Sequence, residues 1–229
     1  MKPKIYEDAG EVLKIITKDR TRTNLLRNLE QRTLAFLVQR IPSWMNSNML
    51  TLLGFMGSLI VVLGLILAAY VNKNWLLVAL PGFVINWFGD SLDGRLAYFR
   101  RKPRKWYGFA LDLTIDWLTT ILIGFGYLVY SSGYWDLAGY GFVVFYGWAM
   151  ITALMRYRIT GKYVIDAGVF GPTEVRIIIS LIIIAEVLFT DAILYAGAFA
   201  CILLFIVNII EARKLLHQAD ELDKSEKVK

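Results

Sequence analysis

What most constrains this chain is a series of apolar blocks, each roughly 17 to 25 residues long, the length a helix needs to cross ~30 Å of hydrocarbon. Six blocks stand out, at about 48–70, 75–99, 107–131, 135–156, 175–190 and 192–212, the last two parted only by Thr190 and Asp191. Lipid offers no partner for a backbone N–H or C=O, so each block must close its own hydrogen bonds as a helix. The expected fold is therefore an all-α integral membrane protein: six transmembrane helices preceded by an amphipathic juxtamembrane helix. A content of 57% hydrophobic and 19% charged residues, with mean hydropathy +0.51, agrees and moves the chain out of the soluble class.

Basic residues set the orientation. Of 25, nine lie in residues 1–47, five in 99–107, four in 156–176 and five in 212–229. The three tight turns between the other helix ends hold only Lys73, and Arg95 lies within the second helix. Because cytoplasmic segments carry the excess of Lys and Arg, both termini and these polar loops are expected in the cytoplasm.

The reading divides the chain into a cytoplasmic amphipathic segment (1–47), a six-helix domain (48–212) and a charged cytoplasmic tail (213–229). From Glu11 to Ile41 apolar residues recur at helical spacing among basic ones, which fits a helix lying on an anionic membrane surface or one packed on the bundle. Residues 1–47 lack the apolar core and cleavage site of a signal peptide, so the N-terminus is expected to be retained. Pro42, then Ser47 or Asn48, would break the chain and cap the first membrane helix. Single residues of cysteine (Cys201) and histidine (His217) exclude disulfide frameworks, thiolate clusters and imidazole ligand pairs.

The chemistry lies in two linked stretches, Asp90-Ser-Leu-Asp93-Gly94-Arg95-Leu-Ala97-Tyr98 and Gly108-Phe-Ala-Leu-Asp112-Leu-Thr-Ile-Asp116. Spacings of three and four put each aspartate pair on one helix face, with Gly108 one turn before Asp112. The short loop from Arg100 to Lys105 makes the two helices antiparallel neighbours, so the four carboxylates can converge. Each costs about 2.5 to 3.5 kcal/mol at membrane depth, and they repel one another unless a cation neutralises them. Oxygen donors without His or Cys suit hard ions, Mg²⁺ or Mn²⁺, and two such ions would clamp a diphosphate for phosphoryl-type transfer. Gly94, lacking a side chain, would let such a ligand approach the backbone.

These residues resemble the signature of the CDP-alcohol phosphotransferase family, D-x-x-D-G-x-x-A-R followed after a spacer by G-x-x-x-D-x-x-x-D, matched here at Asp90, Asp93, Gly94, Ala97, Gly108, Asp112 and Asp116. The resemblance implies that these aspartates hold the metals, Asp116 also serving as general base. It implies that Gly94, Ala97 and Gly108 line the cytidine diphosphate site. It implies a phosphatidyl group moved from a CDP-activated donor, expected to be CDP-diacylglycerol, to a small alcohol with release of CMP, in a homodimer. Tyr98 stands where the signature has arginine, and the spacer to Gly108 is nine residues, slightly long. Arg95 or Arg100 is the expected substitute cation.

For the acceptor, Arg156, Lys162 and Arg176, beside the Gly171-Pro-Thr173-Glu174 turn, offer cations and a helix start suited to a phosphate such as that of glycerol phosphate or inositol phosphate. Asn48 and Thr51 are similar to an Asn and Thr that often open the first helix in the family, though capping explains Asn48 equally well. Nucleic acid is not expected as a partner. The rival reading, a divalent-cation transporter, would need polar residues continuing through the helices, and Leu76 to Phe83 and Leu118 to Tyr127 are apolar apart from Thr119 and Thr120.

Overall fold

The computed structural model describes residues 12–13, 26–160 and 172–227, and these are helical throughout apart from turns. A short helix α1 (Arg27–Val38) precedes α2 (Ser47–Tyr70), α3 (Ala79–Phe99), α4 (Lys105–Tyr130), α5 (Asp136–Thr160), α6 (Pro172–Leu188) and α7 (Ala192–Lys227). Two 3₁₀ turns, Lys73–Val78 and Gly133–Trp135, lead into α3 and α5. Five of the helices, α2 to α5 and α7, are long and apolar enough to cross a membrane. The fifth expected span, α6, has 17 residues in a single helix and falls just short of that length. The last helix runs on through the charged tail to Lys227, so the tail extends the membrane helix.

The centre of the molecule is the α2–α3 pair, held at backbone distance. A Cβ built on Gly57 would come within 2.6 Å of the Gly82 carbonyl, and one on Gly89 would run into the Gly54 amide and the Leu50 carbonyl. Glycines here serve closeness: where apolar side chains gain nothing by leaving lipid for protein, van der Waals contact between backbones is what holds helices together. At one end the pair is sealed by Leu50, Leu92 and Leu96 against Leu34, Ala35 and Val38 of α1; at the other Val61, Leu65 and Phe83 meet Ile183 and Ile193. Helix α4 packs on α2, α5 on α4 and α7, and α6 on α3 and α7.

Helix α1 buries Leu34, Ala35 and Val38 against the bundle while Leu29 and Phe36 stay exposed. The packed reading of this segment therefore describes its inner face. Of the preceding residues only Val12 and Leu13 are described, Val12 within the same core. The cap of α2 is Asn46, whose side chain accepts from the Met49 amide at 3.0 Å, and not Ser47 or Asn48. The helix begins one residue before the apolar run because Asn46 is the residue left in extended conformation. Helix α3 closes with Arg101 in the left-handed region (φ 55°), the Arg101 and Lys102 amides donating back to the Tyr98 and Ala97 carbonyls. That Schellman-type stop, followed by Pro103, turns the chain straight into α4.

Candidate active site

At the end of the bundle where α3 stops and α4 starts, Asp90, Asp112 and Asp116 converge, their nearest carboxylate oxygens all within 4.8 Å of one another. Spacing of four on α4 supplies two of them, and the antiparallel turn supplies the third. Asp93 falls outside this trio. It is buried, and its Oδ2 accepts from the Thr51 hydroxyl of α2 at 2.7 Å while its Oδ1 accepts from the Gly94 amide. Sequence spacing alone could not separate Asp93 from Asp90, because the hydroxyl that takes Asp93 lies 42 residues away.

A polar ladder backs the trio. Arg176, in the second turn of α6, donates to Asp90 Oδ2 at 2.6 Å and to Asn86 Oδ1 at 2.8 Å. Asn86 in turn donates to the Gly54 carbonyl and to the Ser58 hydroxyl, and Ser58 meets Thr119 of α4 at 3.1 Å. Four helices are thus joined by side chains that would be costly to bury singly, since an unpaired polar group in this setting costs about 1–3 kcal/mol. Asn86 went unnoticed in the sequence, although an amide in an apolar run one turn before Asp90 was the available signal.

The other expected cations have different surroundings. Arg95 points away from the carboxylates, about 200° round α3 from Asp93. Its guanidinium lies buried 3.8 Å from Glu30 of α1 and donates to the Ser91 carbonyl of its own helix. Arg100 donates to the carbonyls of Ile41, Pro42 and Met45, and burial lowers its pKa from the ordinary value. Both therefore tie the segment before α2 to the end of α3. Arg156 pairs with Glu211 of α7 at 2.7 Å, away from Asp90, whereas Arg176 reaches the cluster directly. Lys162 lies outside the described residues. Ala97 and Gly94 are half-buried on the last turns of α3, and Gly108 is exposed, with open space where a Cβ would stand.

Asp112 and Asp116 also border a cavity of about 110 Å³ between α4 and α5, walled by Phe109, Leu113, Tyr146 and Met150. They thus belong to the carboxylate trio and also line a largely apolar recess. Three carboxylates with no nitrogen or sulfur donor among them match a hard divalent cation, and Arg176 alone does not offset their charge. The donor set therefore fits a divalent metal.

At the opposite end, buried Glu186 of α6 accepts from the Tyr130 hydroxyl at 2.8 Å and from the Ile193 amide at 2.8 Å, capping α7. It is structural, far from the carboxylates in the fold.

Comparison with known proteins agrees with this geometry. The family described as CDP-alcohol phosphatidyltransferase matches residues 44–209, which takes in every carboxylate of the cluster together with Thr51, Asn86 and Arg176. Escherichia coli (strain K12) has a protein, "Inner membrane protein YnjF", that is 33% identical over 96 residues, or 42% of this chain. The match spans 42% of that protein's own length. The transporter alternative finds no support in these matches.

Proposed function

Since the chain belongs to the CDP-alcohol phosphatidyltransferase family, we propose that it is an integral membrane enzyme that moves a phosphatidyl group from CDP-diacylglycerol to a small phosphorylated alcohol, such as glycerol phosphate or inositol phosphate. The observation that carries this reading is the meeting of Asp90, Asp112 and Asp116 at the facing ends of α3 and α4. Asp93, oriented by Thr51, would complete the metal-binding set. One or two divalent cations, Mg²⁺ or Mn²⁺, would neutralise the diphosphate and polarise the phosphorus under attack.

In the proposed reaction the acceptor hydroxyl oxygen bonds to the phosphatidyl phosphorus as the bond from that phosphorus to the CMP oxygen breaks. The hydroxyl proton passes to a carboxylate oxygen of Asp116, which borders both the trio and the recess beside α5. Gly94, Ala97 and Gly108 lie along the end of the cluster where cytidine diphosphate would rest. Arg176 holds Asp90 in place and retains N–H donors for an acceptor phosphate. The distribution of basic residues supports a cytoplasmic placement of both termini and this site, and the active unit is taken to be a homodimer.

The test is CMP release by the purified protein in detergent with CDP-diacylglycerol, a divalent cation and a panel of alcohols. Acceptor-dependent release that is lost with EDTA, and lost in Asp112→Asn protein that still elutes as folded, is the expected result. Full turnover by Asp116→Asn would remove the base assignment while leaving the transferase reading intact.

A further inference from the structure

With Tyr98 in the arginine position of the signature, and with Arg95 and Arg100 bonded to Glu30 and to backbone carbonyls, the outer end of the cluster needs another cation to meet a diphosphate. Arg104 is placed for it. It is the N-cap residue of α4, and its guanidinium lies 4.0 Å from the centroid of the Tyr107 ring while donating to Asn48 Oδ1 at the start of α2. Asn48 Nδ2 closes the triangle on the Tyr107 hydroxyl at 3.3 Å. Asn48 is free to do so because Asn46 caps the helix.

Both partners of Arg104 are neutral, so its charge is positioned without being cancelled. A guanidinium has five N–H donors, and a fork held in place by a ring and an amide loses little freedom on meeting a phosphate. Residues 104, 108, 112 and 116 follow one another at spacings of four along α4, so Arg104 stands above Gly108 and Gly108 above Asp112. From Arg104 to Asp112 the helix rises about 12 Å, and at Gly108, between them, a Cβ would meet nothing within 4 Å. Asn48 also sits one turn from Thr51, the residue that carries Asp93. A cation, an open floor and a carboxylate cluster thus succeed one another along one helix.

We infer that Arg104, seated by Asn48 and Tyr107, takes the part of the missing signature arginine and binds the diphosphate of the CDP-activated donor. The inference rests on the transferase reading above and names a donor-binding residue within it.

Two quantities test it on the full chain in detergent with Mg²⁺ present: equilibrium binding of CDP and of CMP by calorimetry, and the KM for CDP-diacylglycerol. Arg104→Gln should weaken CDP binding and raise the donor KM by about tenfold or more, the size of a lost charge-assisted contact, with a smaller change in kcat. Its affinity for CMP, which lacks the second phosphate, should fall less. Arg104→Lys keeps the charge without the fork and should lie between. Lys102→Gln, which removes a charge from the same loop, should bind CDP like the parent. Where Arg104→Gln does not stay folded, Arg104→Lys decides by the same CDP-to-CMP ratio. An Arg104 variant with the parent's CDP affinity and donor KM would overturn the inference alone, whereas a parent protein that binds no CDP would overturn the transferase reading and this inference with it.

Discussion

The α2–α3 pair and the α5–α7 pair are made of equally apolar helices, yet they are held by different means. In α2 and α3, 44% of the apolar stretch is buried inside the protein; in α5 it is 17% and in α7 11%. The first pair touches through glycine backbones and carries Thr51, Asp93 and Asp90. The second is joined by side chains, with Asn208 donating to the Phe145 carbonyl at 2.7 Å and the Phe145 and Phe205 rings 5.2 Å apart, and it turns Tyr140, Ile151, Phe199 and Ile202 outward. Helices that set the spacing of a multi-residue site cannot rely on long, adaptable side chains, because an error of about 1 Å there is costly in rate. Helices that only enclose the site can leave their outer faces to lipid.

The severest way to break this contrast is Gly57→Leu, which drives a side chain into the Gly82 carbonyl and the Asn86 backbone. A loss of about 3 kcal/mol or more is expected, read as loss of monodisperse protein or a collapsed thermal midpoint in detergent. Next comes Thr51→Val, which keeps the shape of the pair and removes the donor to Asp93. Activity should drop about 10- to 100-fold while the thermal midpoint stays near that of the parent. Glu186→Gln, at the far end, should show the reverse: a stability loss of about 1–2 kcal/mol in thermal unfolding, with turnover of the folded fraction retained. The smallest effect belongs to the outer pair, where Phe199→Ala, on a side chain 68% exposed, should change stability by less than about 0.5 kcal/mol. A Phe199→Ala loss as large as that of Gly57→Leu would erase the distinction between the two pairs.

The helices and the carboxylates were legible because both are local: an apolar run closes its own hydrogen bonds, and a spacing of three or four fixes a helix face. The family signature was legible for the same reason. What was hidden lay in contacts between distant segments. Asp93 accepts from Thr51 on another helix, and Arg95 turns to Glu30, a residue of the N-terminal segment whose docking no periodicity displays. The fifth expected span, α6, is one helix of 17 residues that stops at Leu188, and Asp191, with a left-handed φ of 71°, begins the tie to α7. The capping residue of α2 was missed among three adjacent side chains able to cap, and only the backbone conformation distinguishes Asn46 from Ser47 and Asn48.

The first two turns of α6 hold Glu174 and Arg176, two residues apart and so on different sides of the helix. Glu174 accepts from the Leu26 amide that opens α1, and Arg176 grips Asp90. One short piece of helix therefore works as a yoke, with the N-terminal arm harnessed to one side and a carboxylate of the cluster to the other. Between the start of α1 and Asp90 there thus stand only two side chains and less than a turn of backbone.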